Sequence, residues 1–156
     1  MRSAASQAFG TFTFVARAAA PPLGGGPPPA NSFACLTTSY RSAPHHEVAS
    51  CFRGSAPTNV SLAYWSEGAN SRGVVLEVDT GVRLHEAFHT YVVTWTPTAL
   101  SLSVDGRRVA HAEAAANTSL PFLPGQALLI NRVSSEPYLG DAVVALASAA
   151  YSPLAL

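Results

Sequence analysis

The chain predicts an all-β fold, a sandwich of two antiparallel sheets. Two observations carry that expectation. Short apolar or alternating runs recur along its 156 residues, separated by Gly, Pro, Asn and Ser at intervals typical of sandwich domains. Asp105-Gly106, set between two such runs, is a strong two-residue hairpin signal.

The first predicted strand is 11–17, where Phe12 and Phe14 alternate with Thr11, Thr13 and Val15. Residues 18–30 read Ala-Ala-Ala-Pro-Pro-Leu-Gly-Gly-Gly-Pro-Pro-Pro-Ala. Proline removes backbone donors and glycine removes restraint, so this segment is expected to be an elongated rim loop. Strands follow at 32–37 and 47–52 on either side of a turn-rich stretch, then at 60–64, 74–78, 89–94 and 99–104. The alanine-rich stretch 107–116 has some helical propensity. Because it directly follows the Asp-Gly turn, it is expected to be a returning strand. The last two strands are placed at 127–131 and within 142–151.

Composition bounds the partners. The length predicts one domain over 1–156, and 48% hydrophobic residues against 12% charged make it apolar for a globular chain. Nine basic and nine acidic residues give a net charge of zero. That argues against nucleic acid or an anionic membrane as partner, is compatible with a neutral polysaccharide, and favours self-association. No apolar run reaches the roughly 18 residues of a spanning helix. Residues 1–8 lack the apolar stretch of a signal peptide. Asn59-Val60-Ser61 and Asn117-Thr118-Ser119 are glycosylation sequons of a kind that also occurs by chance.

The chemistry-bearing stretch is His45-His46-Glu47-Val48-Ala49-Ser50-Cys51-Phe52-Arg53-Gly54. On a strand, Glu47, Ala49 and Cys51 share one face, and Val48, Ser50 and Phe52 share the other. The stretch resembles the signature strand of family-16 glycoside hydrolases, the laminarinase, lichenase and xyloglucan endotransglycosylase group, which reads roughly His/Trp-Asp-Glu-Ile-Asp-Ile-Glu-Phe-Leu-Gly. Further segments follow in the family's order. Phe9-Gly10-Thr11-Phe12-Thr13-Phe14-Val15-Ala16-Arg17 is similar to Tyr-Gly-x-Phe-Glu-x-Arg, and Asn59 to Trp65 to the next cleft strand. Phe88-His89-Thr90-Tyr91-Val92-Val93-Thr94-Trp95 is similar to Phe-His-Thr-Tyr-x-x-Glu/Asp-Trp, and Leu102-Ser103-Val104-Asp105-Gly106 to the hairpin after it. Leu129-Ile130-Asn131-Arg132-Val133 stands where the family has Met-Asn-Leu-Trp, with Val133 replacing the tryptophan.

The resemblance covers 9–151 and implies a concanavalin-like β-jelly-roll. Its start at Phe9, which in the family follows several earlier strands, implies a sandwich incomplete at the N-terminus, with unpaired sheet edges available for self-association. It implies no cofactor, and a secreted or cell-wall setting. Glu47 falls at the nucleophile position, Ala49 replaces the helper aspartate and Cys51 replaces the acid/base glutamate. Tyr64, Trp65, His89, Trp95 and Asn131 are the implied substrate contacts. For Glu47 an ordinary strand-start glutamate is an equal alternative, and Trp65, His89 and Trp95 also fit a core.

A retaining glycosidase needs two carboxyl groups roughly 5–5.5 Å apart. A cysteine thiol, with a reference pKa near 8.5 and a shorter reach, protonates a sugar oxygen poorly. Loss of the general acid alone removes about 10²–10⁴ in rate. His45, His46 and Glu47 are adjacent and alternate between faces, so no shared metal site is expected.

Three functions follow. The favoured one is a degenerate domain, catalytically impaired, that binds a β-1,3 or β-1,3-1,4 glucan. The alternatives are an active endo-β-glucanase or transglycosylase with Glu47 as nucleophile and an acid supplied elsewhere, and a structural or interaction sandwich. Cys35 and Cys51, the only cysteines, are expected to be free buried thiols. A disulfide is open if their strands pair as a hairpin, contributing about 3 kcal/mol for a loop of this order.

Overall fold

A computed structural model describes residues 9–20, 33–39, 46–66, 74–113, 127–132 and 143–154. The described residues form ten strands: β1 (Gly10–Ala20), β2 (Phe33–Ser39), β3 (His46–Arg53), β4 (Ala56–Ser66), β5 (Val74–Asp79), β6 (His89–Trp95), β7 (Ala99–Val104), β8 (Arg107–Glu113), β9 (Ala127–Arg132) and β10 (Val143–Pro153). They build two five-stranded sheets, ordered β10-β1-β6-β7-β8 and β5-β4-β3-β2-β9. Every pairing among them is antiparallel. The all-β, two-sheet expectation holds.

Period-two patterning explains why these segments are strands. In β1, Phe12, Phe14, Ala16 and Ala18 are buried while Thr11, Thr13, Val15 and Arg17 are partly exposed. Tyr91, Val93 and Trp95 in β6, and Leu100, Leu102 and Val104 in β7, extend the same inner face. The facing sheet contributes Leu36, Val48, Phe52, Val60, Leu62 and Tyr64 to the same core. Phe52 and Tyr91 meet edge-to-face across the two sheets at 5.1 Å, and Phe9, just before β1, meets Trp95 of the neighbouring β6 edge-to-face at 5.0 Å.

The expected loop at 18–30 starts too early. Ala18 is buried in the core, its N–H donates to the Leu84 carbonyl, and β1 continues to Ala20, which pairs with Val143. Core packing therefore extends the strand past the point at which composition suggests a loop. The rest of that segment lies outside the described residues, as do 114–116 of the predicted returning strand.

The Asp-Gly turn forms as predicted. Asp105 and Gly106 both have positive φ, 48° and 80°, the pattern of a two-residue primed turn that matches strand twist. Edges differ in character: β8 carries Arg107, Arg108, His111 and Glu113, and β5 carries Glu77 and Asp79, whereas β10 has no charged residue. Along β10, Ala147, Ser148, Ala149 and Ala150 are consecutively exposed.

Phe52→Ala is expected to lower the unfolding free energy by about 3–5 kcal/mol, since it empties an inter-sheet aromatic contact. Gly106→Ala is expected to lower it by about 1–2 kcal/mol, by forcing an L side chain into a left-handed turn position. Urea titration of each variant measures both, and a change within about 0.5 kcal/mol in either contradicts the packing or turn argument.

Candidate functional site

β3 is the central strand of its sheet, and its register with β4 runs unbroken from the His46–Ser66 pair to the Phe52–Val60 pair. Val48, Ser50 and Phe52 are buried on the core face or at it, with the even positions of the neighbouring strands. The odd positions belong to the other face, in rows across the sheet. One row pairs Ala127 with Ser39 through β9 and β2, then Ser39 with Glu47 and Glu47 with Trp65. A second aligns Thr37, Ala49 and Ala63, and a third aligns Asn131, Cys35, Cys51 and Ser61.

The register therefore brings Glu47, Ala49, Cys51, Trp65 and Asn131 onto one sheet at matching parity. No bulge interrupts 47–51, so these two positions stay about 13 Å apart at Cα. Of positions 47, 49 and 51, which the motif resemblance assigns to the family's carboxylates, one holds a carboxylate.

Cys51 is not a free thiol. Cys35 and Cys51 are direct partners across β2 and β3, with Cα atoms 4.1 Å apart, and their sulfurs are bonded. The expectation of free thiols fails because the register places the two residues opposite each other, as the hairpin alternative requires. Position 51 thus carries no ionisable proton. Cys35, Ala49, Cys51 and Ala63 form a small apolar cluster apart from the main core, each at most 6% exposed. Ser61 Oγ donates to the Cys51 carbonyl at 3.4 Å.

Three expected substrate contacts lie elsewhere. Tyr64 has the opposite parity to Trp65 and is buried in the main core. Trp95 is in the other sheet, 1% exposed, packed on Phe9. Both serve the interior because their alternation points them inward. His89 lies at the start of β6, also in that other sheet, and its Nδ1 is 2.7 Å from Asp105 Oδ2. It closes the end of the β7–β8 hairpin, in the sheet opposite the one that carries Glu47.

Asp105 is held twice more. Its Oδ1 accepts from the Thr90 N–H at 2.9 Å, and its own N–H donates to the Thr90 carbonyl. Desolvation raises its carboxyl pKa, but the His89 hydrogen bond, the Thr90 N–H and the His89 charge outweigh this and hold it below the ordinary value. Beneath it, burial and then the Asp105 charge push the Tyr91 phenol well above its usual range.

A concavity that the motifs did not flag borders this hairpin. Thr80, Val82, Val104, Asp105 and Arg107 line a cavity of about 360 Å³. Arg107 Nη2 donates to the Thr80 carbonyl at 2.6 Å, and Thr80 Oγ1 donates to the Thr58 carbonyl at 2.7 Å. The sequence signal available for it was the charged pair flanking Gly106.

The family model for glycosyl hydrolases family 16 matches residues 1–134. The chain belongs to that family. A beta-glucanase of Bacillus subtilis (strain 168) is 29% identical over 113 residues, which is 71% of this chain and 44% of that protein. The family-16 chain thus spans under half the length of this curated relative. Among solved structures, a prokaryotic beta-1,3-1,4-glucanase (lichenase) from a mouse hindgut metagenome superposes with a TM-score of 0.74 at 21% identity, covering 98% of this chain and 70% of that one. The Bacillus licheniformis beta-glucanase gives 0.71 at 20%, covering 96% and 66%. An apo Crh5 transglycosylase gives 0.69 at 21%, covering 97% and 66%. At these identities the structural likeness establishes the fold: the two antiparallel sheets are the family-16 jelly-roll.

Two outcomes follow from the site geometry. The Cys35→Ala, Cys51→Ala double variant is expected to lose about 3 kcal/mol of unfolding free energy and to become insensitive to reductant, as read by urea titration with and without a dithiol. The depressed Asp105 carboxyl contributes stability that is fully present above its unfolded pKa and lost as pH falls through its folded pKa. Thermal unfolding scanned below about pH 4 is expected to show a smaller acid-induced loss in Asp105→Asn than in the parent chain. Parallel curves would contradict the role of the His89–Asp105 contact.

Proposed function

We propose that residues 1–156 form a single family-16 domain that binds β-glucan-type polysaccharide and does not hydrolyse it. The observation that carries this reading is the Cys35–Cys51 bond, which leaves no proton donor at the acid/base position. Ala49 supports it, because a methyl group cannot replace the helper carboxylate. Glu47 alone provides at most one of the two carboxyl functions that retaining hydrolysis requires. The names of the similar proteins, glucanases and a transglycosylase, support a polysaccharide of the β-1,3 or β-1,3-1,4 glucan class as ligand. Trp65, in the register row of Glu47, is the proposed stacking platform, with Asn131 as a polar contact in the row of Cys51. The disulfide also supports an oxidising compartment, in keeping with the family's extracellular habit.

Isothermal titration with laminarin and mixed-linkage oligosaccharides, run beside a reducing-sugar assay on the same samples, tests this reading. Binding without turnover is the expected result. Trp65→Ala should weaken binding about tenfold or more, the loss of one ring-stacking contact, while Glu47→Ala should leave it within about threefold. Turnover abolished by Glu47→Ala would overturn the non-hydrolytic reading, and absence of binding would overturn the ligand.

The uncharged β10 edge supports self-association by strand addition. Sedimentation is expected to show a mass that rises with concentration and falls on placing a lysine at Ala149. A monomer at every concentration would contradict it.

A further inference from the structure

The concavity between the 80–88 loop and the β7–β8 hairpin has the construction of a ligand site. Its two charged groups are fixed before any ligand arrives. Asp105 is held by His89 Nδ1 and the Thr90 N–H, and Arg107 by the Thr80 carbonyl. Its opposite wall is fixed as well: Gly81 N–H donates to Asp79 Oδ1 at 2.8 Å, Leu84 N–H to the Pro57 carbonyl at 3.0 Å, and the Leu84 side chain is buried. A site already ordered forfeits little entropy on binding.

Its surface is of mixed character. Val104 provides a buried apolar floor, and Val82 stands 41% exposed on the wall. Val82 and Phe88 are the large hydrophobic residues exposed among the described positions, and both belong to this loop. Each Asp105 oxygen retains a free acceptor direction, and the Arg107 guanidinium retains donors beyond the one given to Thr80. One acceptor and one donor of opposite charge, flanking apolar carbon, match the neighbouring hydroxyls and C–H face of a pyranose ring. Both charges belong to the wall and cancel, so a neutral ligand leaves neither in excess. A volume of about 360 Å³ admits one ring with solvent at its margin.

We propose that this groove is a second carbohydrate subsite that takes a single neutral pyranose ring of a glucan. It lies beyond Thr58 at one end of β4, whereas Trp65, the partner of Glu47, is seven residues along the same strand, about 24 Å away. The choice of a sugar as ligand rests on the carbohydrate-binding reading above. The location of the site does not depend on that reading.

Amide chemical-shift mapping of the ¹⁵N-labelled full chain, titrated with a β-1,3-linked glucotriose, tests it. The expected result is saturable shifts at Val82, Val104, Asp105 and Arg107 that persist in Trp65→Ala. Val82→Asp, at an exposed position outside the core, should weaken those shifts about tenfold, and Arg107→Gln by a similar factor, the loss of one hydrogen bond to a charged group. Shifts confined to the strand bearing Glu47 and Trp65 would overturn the groove and leave the cleft reading standing. Shifts confined to the groove would do the reverse. No shifts at either place would overturn both, and groove shifts with free glycine but not with the sugar would reassign the site to a zwitterion.

Discussion

Side chains on a strand alternate, so parity along each strand decides which residues may build the core and which may do chemistry. In β3 the even residues Val48 and Phe52 join the main core, and the odd residues Ala49 and Cys51 lie in a separate cluster on the opposite face. One-residue slippage would exchange the two sets. The contact between Phe52 and Tyr91 holds the sheets face to face, and the Cys35–Cys51 bond holds β2 and β3 in the register that keeps Glu47, Ala49 and Cys51 together. The placement of Glu47, Trp65 and Asn131 on one sheet depends on that register.

Position 51, where that bond lies, is the one that the proposed reading aligns with the family's acid/base glutamate. A carboxyl group at this position must be solvated or approached by substrate, because its work is to pass a proton. A half-cystine in an apolar cluster has neither the proton nor the access. At position 51 the chain thus has a covalent tie between neighbouring strands and no titrating group. Ala49 follows the same logic, since a methyl group packs between Cys35, Cys51 and Ala63 where a carboxylate would need hydrogen-bond partners.

Much of the fold was legible in the residues, because alternation and turn chemistry are local. The Asp105-Gly106 turn, the inward Phe12 and Phe14, and the strand carrying Glu47 all follow from short-range pattern. What escaped was non-local. The end of β1 at Ala20 depends on packing beneath Leu84, which no property of Ala18 announces. The disulfide required knowing that residues 35 and 51 pair across the hairpin. Motif matching placed Tyr64, His89 and Trp95 among sugar contacts. Parity alone argued against Tyr64 beside Trp65, and sheet membership, invisible to a motif, moved His89 and Trp95 to the other layer. The groove at Val82 joins a loop to a hairpin 20 or more positions away, so no contiguous signature marks it.

Core and outer faces are energetically separable in such a sandwich, so the architecture does not depend on which residues occupy the outward positions of β3. The burial that stabilises the fold comes from Phe12, Phe14, Tyr91, Trp95, Leu100 and Leu102 against Leu36, Phe52 and Leu62, none of which shares a face with Glu47. Replacing an outer carboxylate by alanine or half-cystine removes no core contact and relieves the desolvation of a charge. Selection for folding alone therefore does not preserve the catalytic triad of carboxylates; only selection for turnover does. The core and the Phe52–Tyr91 contact between the sheets impose no requirement for a carboxylate at positions 49 or 51.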